Sequence, residues 1–159
     1  MSQTKRHTAA IRNESSEPLK VDEVRAALEH LLDRYGAPGG EVSVLFSSDD
    51  ELRRLNRTFR GIDEATDVLS FPAPESADGE IGDIAVSVDF ARRNAKRRGV
   101  PIHEEAALLA LHGALHLMGY DDGTDEDRDD MVRRMNEVAA ACGISTDPTW
   151  SSLPHGDES

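Results

Sequence analysis

Cysteine is nearly absent from this chain. Cys142 is the only one in 159 residues, which excludes an internal disulfide and a cysteine zinc cage and leaves that side chain to a small place in the core. Aromatic residues are scarce at 4%. No apolar run approaches the roughly 18 residues that a membrane span needs. The opening MSQTKRHTAAIRNESSEP has no apolar signal core, so export is not expected and a cytoplasmic protein with no membrane partner is. Basic residues are outnumbered: 18 Lys and Arg stand against 31 Asp and Glu, for a net charge of −13. A surplus of that sign argues against bulk attraction to nucleic acid. What remains, 38% apolar and 31% charged, is the composition of one domain, 1–159, with a modest core over about 8–143 and a polar tail over 144–159.

The placing of charge says more than its sum. Arg53, Arg54, Arg57 and Arg60 fall in one short stretch, and Arg92, Arg93, Lys96, Arg97 and Arg98 in another. Acid gathers at Asp121 to Asp130 and at the C-terminus. By composition alone the basic stretches are solvated helix faces.

Residues 1–7 read as a frayed start and Thr8 to Arg12 as a short strand. Val21, Val24, Leu28, Leu31, Leu32 and Tyr35 recur at helical spacing, and Gly36, Pro38, Gly39 and Gly40 end that helix. Glu41 to Ser47 alternates as a strand, with Val42, Val44 and Phe46 on one face. Ser48 or Asp49 can cap a helix through about Phe59, with Leu52, Leu55 and Phe59 inward. Thr66 to Phe71 and Gly79 to Val88 read as strands on either side of a loop, PAPESADGE. Asp89 to Arg98 is a basic helix. His103 to Met118 is apolar on nearly every side, which predicts a central buried helix, with Gly119 at its C-terminal end. Thr124 and Asp127 resemble a capping box for a last helix ending near Gly143, with Met131, Val132, Met135 and Val138 inward. Strands and helices mix without regular alternation, so the fold class is α+β: a single mixed sheet covered by helices, the 103–118 helix in the middle.

That helix carries the chemistry. In HGALHLMGYDD, residues 112–122, His112 and His116 stand at i and i+4 on one helical face, about 5–6 Å apart at Cβ. Gly119 turns the chain back and Asp122 follows. The spacing is similar to the extended zinc motif of metzincin proteases, with an aspartate in the third ligand place and Gly113 where those enzymes carry their general-base glutamate. A lone buried histidine is usually a hydrogen-bonded core residue. Two with a turn and a carboxylate are better explained by one metal that satisfies both rings. Two nitrogens and one oxygen favour one zinc ion, held by His112, His116 and Asp122. Asp121 is the rival third ligand, and spacing gives it a turn or supporting role. Of the other histidines, His7 and His155 read as tail residues, His30 as the polar side of an outer helix and His103 as a helix start. Trp150 is expected to pack the tail onto the domain.

HGALHLMGYDD resembles the signature of the YbeY family of bacterial ribosomal-RNA maturation factors. LNRTFRGIDEATDVLSFP, residues 55–72, and IGDIAVS, residues 81–87, resemble two further motifs of that family, in the same order and spacing. The resemblance spans about residues 8–143. It implies a zincin-like α+β fold and a zinc-dependent endoribonuclease acting on single-stranded RNA. It implies work on the 3′ end of small-subunit (16S) ribosomal RNA and in 70S ribosome quality control, with the ribosome small subunit or a ribosome-associated protein as partner. The family's ligands map to His112, His116 and Asp122, the last in place of the usual histidine. An aspartate lowers the charge of the site by one and weakens its Lewis acidity. The family's functional arginine maps to Arg60. The place two residues on, often lysine in relatives, is Ile62 here.

Residues and resemblance converge on phosphodiester chemistry. His112 and Arg60 are the catalytic candidates: His112 through the metal, Arg60 as a guanidinium that grips phosphate by two hydrogen bonds. Its ordinary alternative is a surface salt bridge, and Gly61 beside it would allow close backbone approach. With no carboxylate at position 113, either hydroxide or the RNA's own 2′-OH attacks. The two basic stretches would track the RNA backbone, and with only Phe59 and Phe90 among them little base stacking is expected. Two alternatives stay open: a non-catalytic ribosome-assembly factor with a structural zinc, and, more distantly, a zinc peptidase or other zinc hydrolase.

Overall fold

The computed structural model of the chain describes residues 7–35, 39–74, 78–148 and 150. His155 and parts of the expected tail and loops lie outside them. Strand β1 (His7–Asn13) leads through helix α1 (Val21–Tyr35) to strand β2 (Gly40–Ser47), and helix α2 (Asp49–Arg60) follows. Strands β3 (Val68–Pro72) and β4 (Glu80–Ser87) come next, then helices α3 (Val88–Arg98), α4 (Ile102–Leu117) and α5 (Asp125–Ala141). The sheet runs β1-β2-β4-β3. β1, β2 and β4 are parallel, which requires crossovers, and β3 lies antiparallel on the edge of β4. The fold is α+β with one mixed sheet, as its residue pattern predicts.

One face of the sheet is apolar. Val42, Val44 and Phe46 of β2 are buried, as are Ile84 and Val86 of β4 and Val68 of β3. Helix α4 lies across β3 and β4 and also touches α1, α3 and α5. Its Leu108, Leu109, Leu111 and Leu115 are wholly buried, each contributing about 1.5–3 kcal/mol. The helix carrying the histidines is thus among the most firmly held parts of the molecule. It approaches the sheet closely at Gly113, where an added Cβ would stand 2.8 Å from Ile84 Cγ2 and 3.0 Å from Ser70 Oγ.

Several boundaries differ from the pattern for local reasons. β3 starts at Val68, because the Asp67 carboxylate accepts the Val68 N–H at 2.8 Å. Pro72 stays inside β3, which is tolerable on an edge strand. β4 ends at Ser87, whose hydroxyl accepts the Phe90 N–H at 3.1 Å and caps α3 one residue early. Gly61 does not mark a close approach: it is the left-handed cap of α2 (φ 71°), with open space where a side chain would be. His7 is not frayed, since it heads β1 with its Nδ1 2.8 Å from an Asp33 carboxylate oxygen. The expected tail is docked as far as Trp150: Ser145 N–H donates to Glu104 at 2.8 Å, and Asn136 and Asp147 exchange two 3.0 Å hydrogen bonds.

Candidate metal centre

His112 and His116 lie one turn apart near the end of α4, with ring centroids 4.7 Å apart and planes at 80°. Their Nε2 atoms are 3.1 Å apart. The helix then stops in a hydrogen-bonded reversal: Gly119 N–H donates to His116 O and Tyr120 N–H to Leu115 O, both at 3.0 Å. That reversal needs a positive φ, which Gly119 supplies at 98°. Tyr120 next packs edge-on against Tyr35 of α1 at 6.0 Å, and the Arg134 guanidinium of α5 sits 4.6 Å from the Tyr120 ring centroid. These contacts fix the loop that returns Asp122 to the histidines. Thr124 closes it by capping α5, accepting the Asp127 N–H at 3.0 Å.

Asp122 Oδ2 stands 3.4 Å from His112 Nε2 and 3.5 Å from His116 Nε2. Asp121 does not join this group. It is exposed, and its carboxylate accepts the Asp122 N–H at 2.8 Å, a turn role. Two imidazole nitrogens and one carboxylate oxygen therefore form a triangle with sides of 3.1, 3.4 and 3.5 Å. Zinc–ligand bonds of about 2.0–2.1 Å at tetrahedral angles put ligand atoms about 3.3 Å apart. The residues fit such an ion.

Their protonation suits it too. Burial pushes the His112 ring below its ordinary value, against the opposing pull of Asp122. Hydrogen bonding to His112 and then to His116 holds the Asp122 carboxyl far below the usual carboxylate range. A neutral imidazole and an ionised carboxylate are the metal-binding forms.

A family model described as endoribonuclease YbeY matches residues 8–143. The chain belongs to the YbeY family. Endoribonuclease YbeY of Desulforamulus reducens is 37% identical over 151 residues, covering 86% of this chain and 99% of that one. Endoribonuclease YbeY of Thermus thermophilus is 40% identical over 134 residues, covering 82% and 96%. A solution structure from Thermotoga maritima, 28% identical, matches with a TM-score of 0.59 over 90% of this chain and 99% of that one.

Within this YbeY fold Arg60 ends α2, half-buried, and donates to the Ser70 carbonyl at 3.3 Å with its guanidinium 5.9 Å from the Phe71 ring centroid. Ser70 in turn donates its hydroxyl to the Gly113 carbonyl at 3.0 Å. Arg60 thus stands two contacts away from the residue that follows His112.

The basic stretches are less free than their spacing suggests. Arg53 grips Asp63 at 2.8 Å, Arg54 grips Glu51 at 2.6 Å and Arg93 grips Asp49 at 2.9 Å. Such exposed pairs contribute little to stability. Arg98 is different: it turns inward to the fully buried Glu105.

Two buried acids near the candidate ligands escape a reading of local pattern, while the expected packing of Trp150 onto the domain brings it to His112. Asp67 is fully buried, and its charge acts on the His112 ring. Glu105 lies two turns before His112 on α4. Trp150 packs its ring 5.0 Å from that of His112. An acid inside an apolar strand and another inside an apolar helix were the available signals for the two acids.

Among the described residues no helix is long and apolar enough to cross a membrane.

Proposed function

We propose that this endoribonuclease is zinc-dependent, cuts single-stranded RNA, and serves in 16S ribosomal-RNA 3′-end maturation and in 70S ribosome quality control. The observation that carries the metal reading is the triangle of His112 Nε2, His116 Nε2 and Asp122 Oδ2. His112, His116 and Asp122 would hold one zinc ion. Bound there, it supplies Lewis acidity to the scissile phosphate. Arg60 offers its guanidinium to the non-bridging phosphate oxygens, where charge builds as the bond breaks. Ser70 and Phe71 orient Arg60 for that task. The arginines of α2 and α3 exchange their carboxylate partners for backbone phosphates as RNA binds.

The chain offers no glutamate beside the first histidine, and Gly113 has no room for one. This counts against a peptidase. It leaves two routes of attack, by water or by the RNA's own 2′-OH. RNA with a 2′-deoxy sugar at the cleaved position separates them, since continued cutting excludes the 2′-OH.

The test of the metal reading is native mass spectrometry of the untagged chain beside Asp122→Ala. One zinc in the native form and much less in the variant supports it. A native chain that takes up no zinc overturns the metal reading. Shortening of a 3′-extended small-subunit RNA precursor by the loaded chain tests the substrate.

A further inference from the structure

We propose that Trp150 is a positioning residue of the metal centre: its indole, anchored at one end by Glu105, backs the imidazole of His112 and holds that ring in its ligating orientation. This rests on the metal reading above.

Glu105 and His112 are seven residues apart on α4, two turns, and so lie on the same helical face. Trp150 spans that distance. Its Nε1–H donates to Glu105 Oε1 at 3.2 Å, and its ring lies 5.0 Å from the His112 ring at an interplanar angle of 47°. The indole is 4% exposed and His112 is 3% exposed, so neither ring has space to swing.

The anchor is itself anchored. Glu105 is fully buried and ion-paired with Arg98. Arg98 also donates to the Thr146 carbonyl at 3.1 Å and stands 3.4 Å from Asp147. The Trp150 backbone N–H donates to the Asp147 carbonyl at 3.1 Å. Thr146, Asp147 and Trp150 are therefore tied to α3 and α4 by polar contacts, and the indole is the apolar part of that tie. The hydrogen bond to Glu105 satisfies the buried indole N–H and fixes the place of the ring against His112. Groups that orient a ligating histidine ordinarily change metal affinity by about 10–100-fold when removed. A packing residue without that role changes stability and leaves affinity alone.

The experiment uses the full chain and two variants, Trp150→Leu and Trp150→Phe. Zinc affinity is measured by chelator competition, fold by circular dichroism, and cobalt(II) serves as a probe read by quenching of indole emission. Trp150 is the sole tryptophan, so the emission has one source. We expect one equivalent of cobalt to quench most of the native emission. Trp150→Leu should fold and bind zinc about tenfold more weakly or worse. Trp150→Phe, which keeps a ring against His112 but loses the Glu105 anchor, should fall between that variant and the native chain. A folded Trp150→Leu with native zinc affinity overturns the proposal. If Trp150→Leu does not fold, Trp150→Met takes its place, and the native chain gives an independent test: emission unmoved by a bound equivalent of cobalt overturns the proposal as well. A native chain that binds neither zinc nor cobalt overturns the metal reading and this proposal together, whereas native affinity in a folded variant overturns the proposal alone.

Discussion

Ser70 and Gly113 tie the edge strand to the histidine helix: the Ser70 hydroxyl donates to the Gly113 carbonyl at 3.0 Å, across a gap that a single added methyl would fill. Replacing a mid-helix glycine by alanine ordinarily stabilises by about 1 kcal/mol. At position 113 the sign should reverse, because overpacking against Ile84 and Ser70 costs about 1–3 kcal/mol. Urea unfolding of Gly113→Ala gives the sign directly. A more stable variant would show that helix and sheet are not in close contact there. By the same reasoning Gly113→Glu should destabilise the chain and confer no peptide hydrolysis.

Arg60→Glu should leave the fold intact. The side chain is half-buried and its contact with Ser70 is long, at 3.3 Å, so its loss costs about 1 kcal/mol or less. RNA cleavage should fall by about 100-fold or more, as it does when a donor to developing charge is removed. Zinc content should not change. Cleavage at the native rate by folded, zinc-loaded Arg60→Glu would remove Arg60 from the reaction.

The metal-free chain should lose stability as pH falls below about 6.5. Burial keeps the folded His112 ring below its ordinary value of 6.5. The unfolded ring therefore takes up a proton that the folded ring refuses, and acid favours the unfolded state. The slope from one such proton is at most about 1.4 kcal/mol per pH unit. Asp122 acts in the same direction but in a lower window: its lowered value stabilises the fold above the ordinary carboxylate range, and that contribution is lost only in stronger acid. Urea unfolding of the metal-free chain and of His112→Asn, at pH 7.5 and 5.5, isolates the histidine. An identical loss in both would assign the effect to other groups.

RNA binding should depend steeply on salt in spite of the net charge of −13. About four phosphate contacts to a single strand give a slope near −3 in log affinity against log salt. Fluorescence anisotropy with a short unstructured RNA measures it. A flat response would mean that the arginines of α2 and α3 keep their carboxylates when RNA binds.

The histidine helix was legible because its evidence is local. A four-residue spacing, an apolar surround and a glycine stop lie within eleven residues, and helical geometry converts them into a site. The choice of Asp122 over Asp121 was legible by spacing, and the fold supplies the reason: Asp121 spends its carboxylate on the turn. What stayed hidden depends on distant partners. Trp150 meets Glu105 across 45 residues, and His7 meets Asp33 across 26. No period in the chain encodes such pairs, so local pattern leaves His7 as tail and places Trp150 on the domain without naming its partner. The partners of the arginine runs were hidden for a related reason. Adjacent in sequence, they are distributed by the fold among Asp63, Glu51, Asp49 and Glu105.

The three candidate ligands come from different parts of the fold. His112 and His116 ride on one buried helix, while Asp122 arrives on a loop clamped by Tyr35, Tyr120 and Arg134. Capture and release of an ion should therefore be separate kinetic events. The histidine pair makes the first catch at a rate indifferent to the clamp. How long the ion then stays depends on how often the loop opens, so loosening Tyr120 or Arg134 should shorten residence far more than it slows arrival.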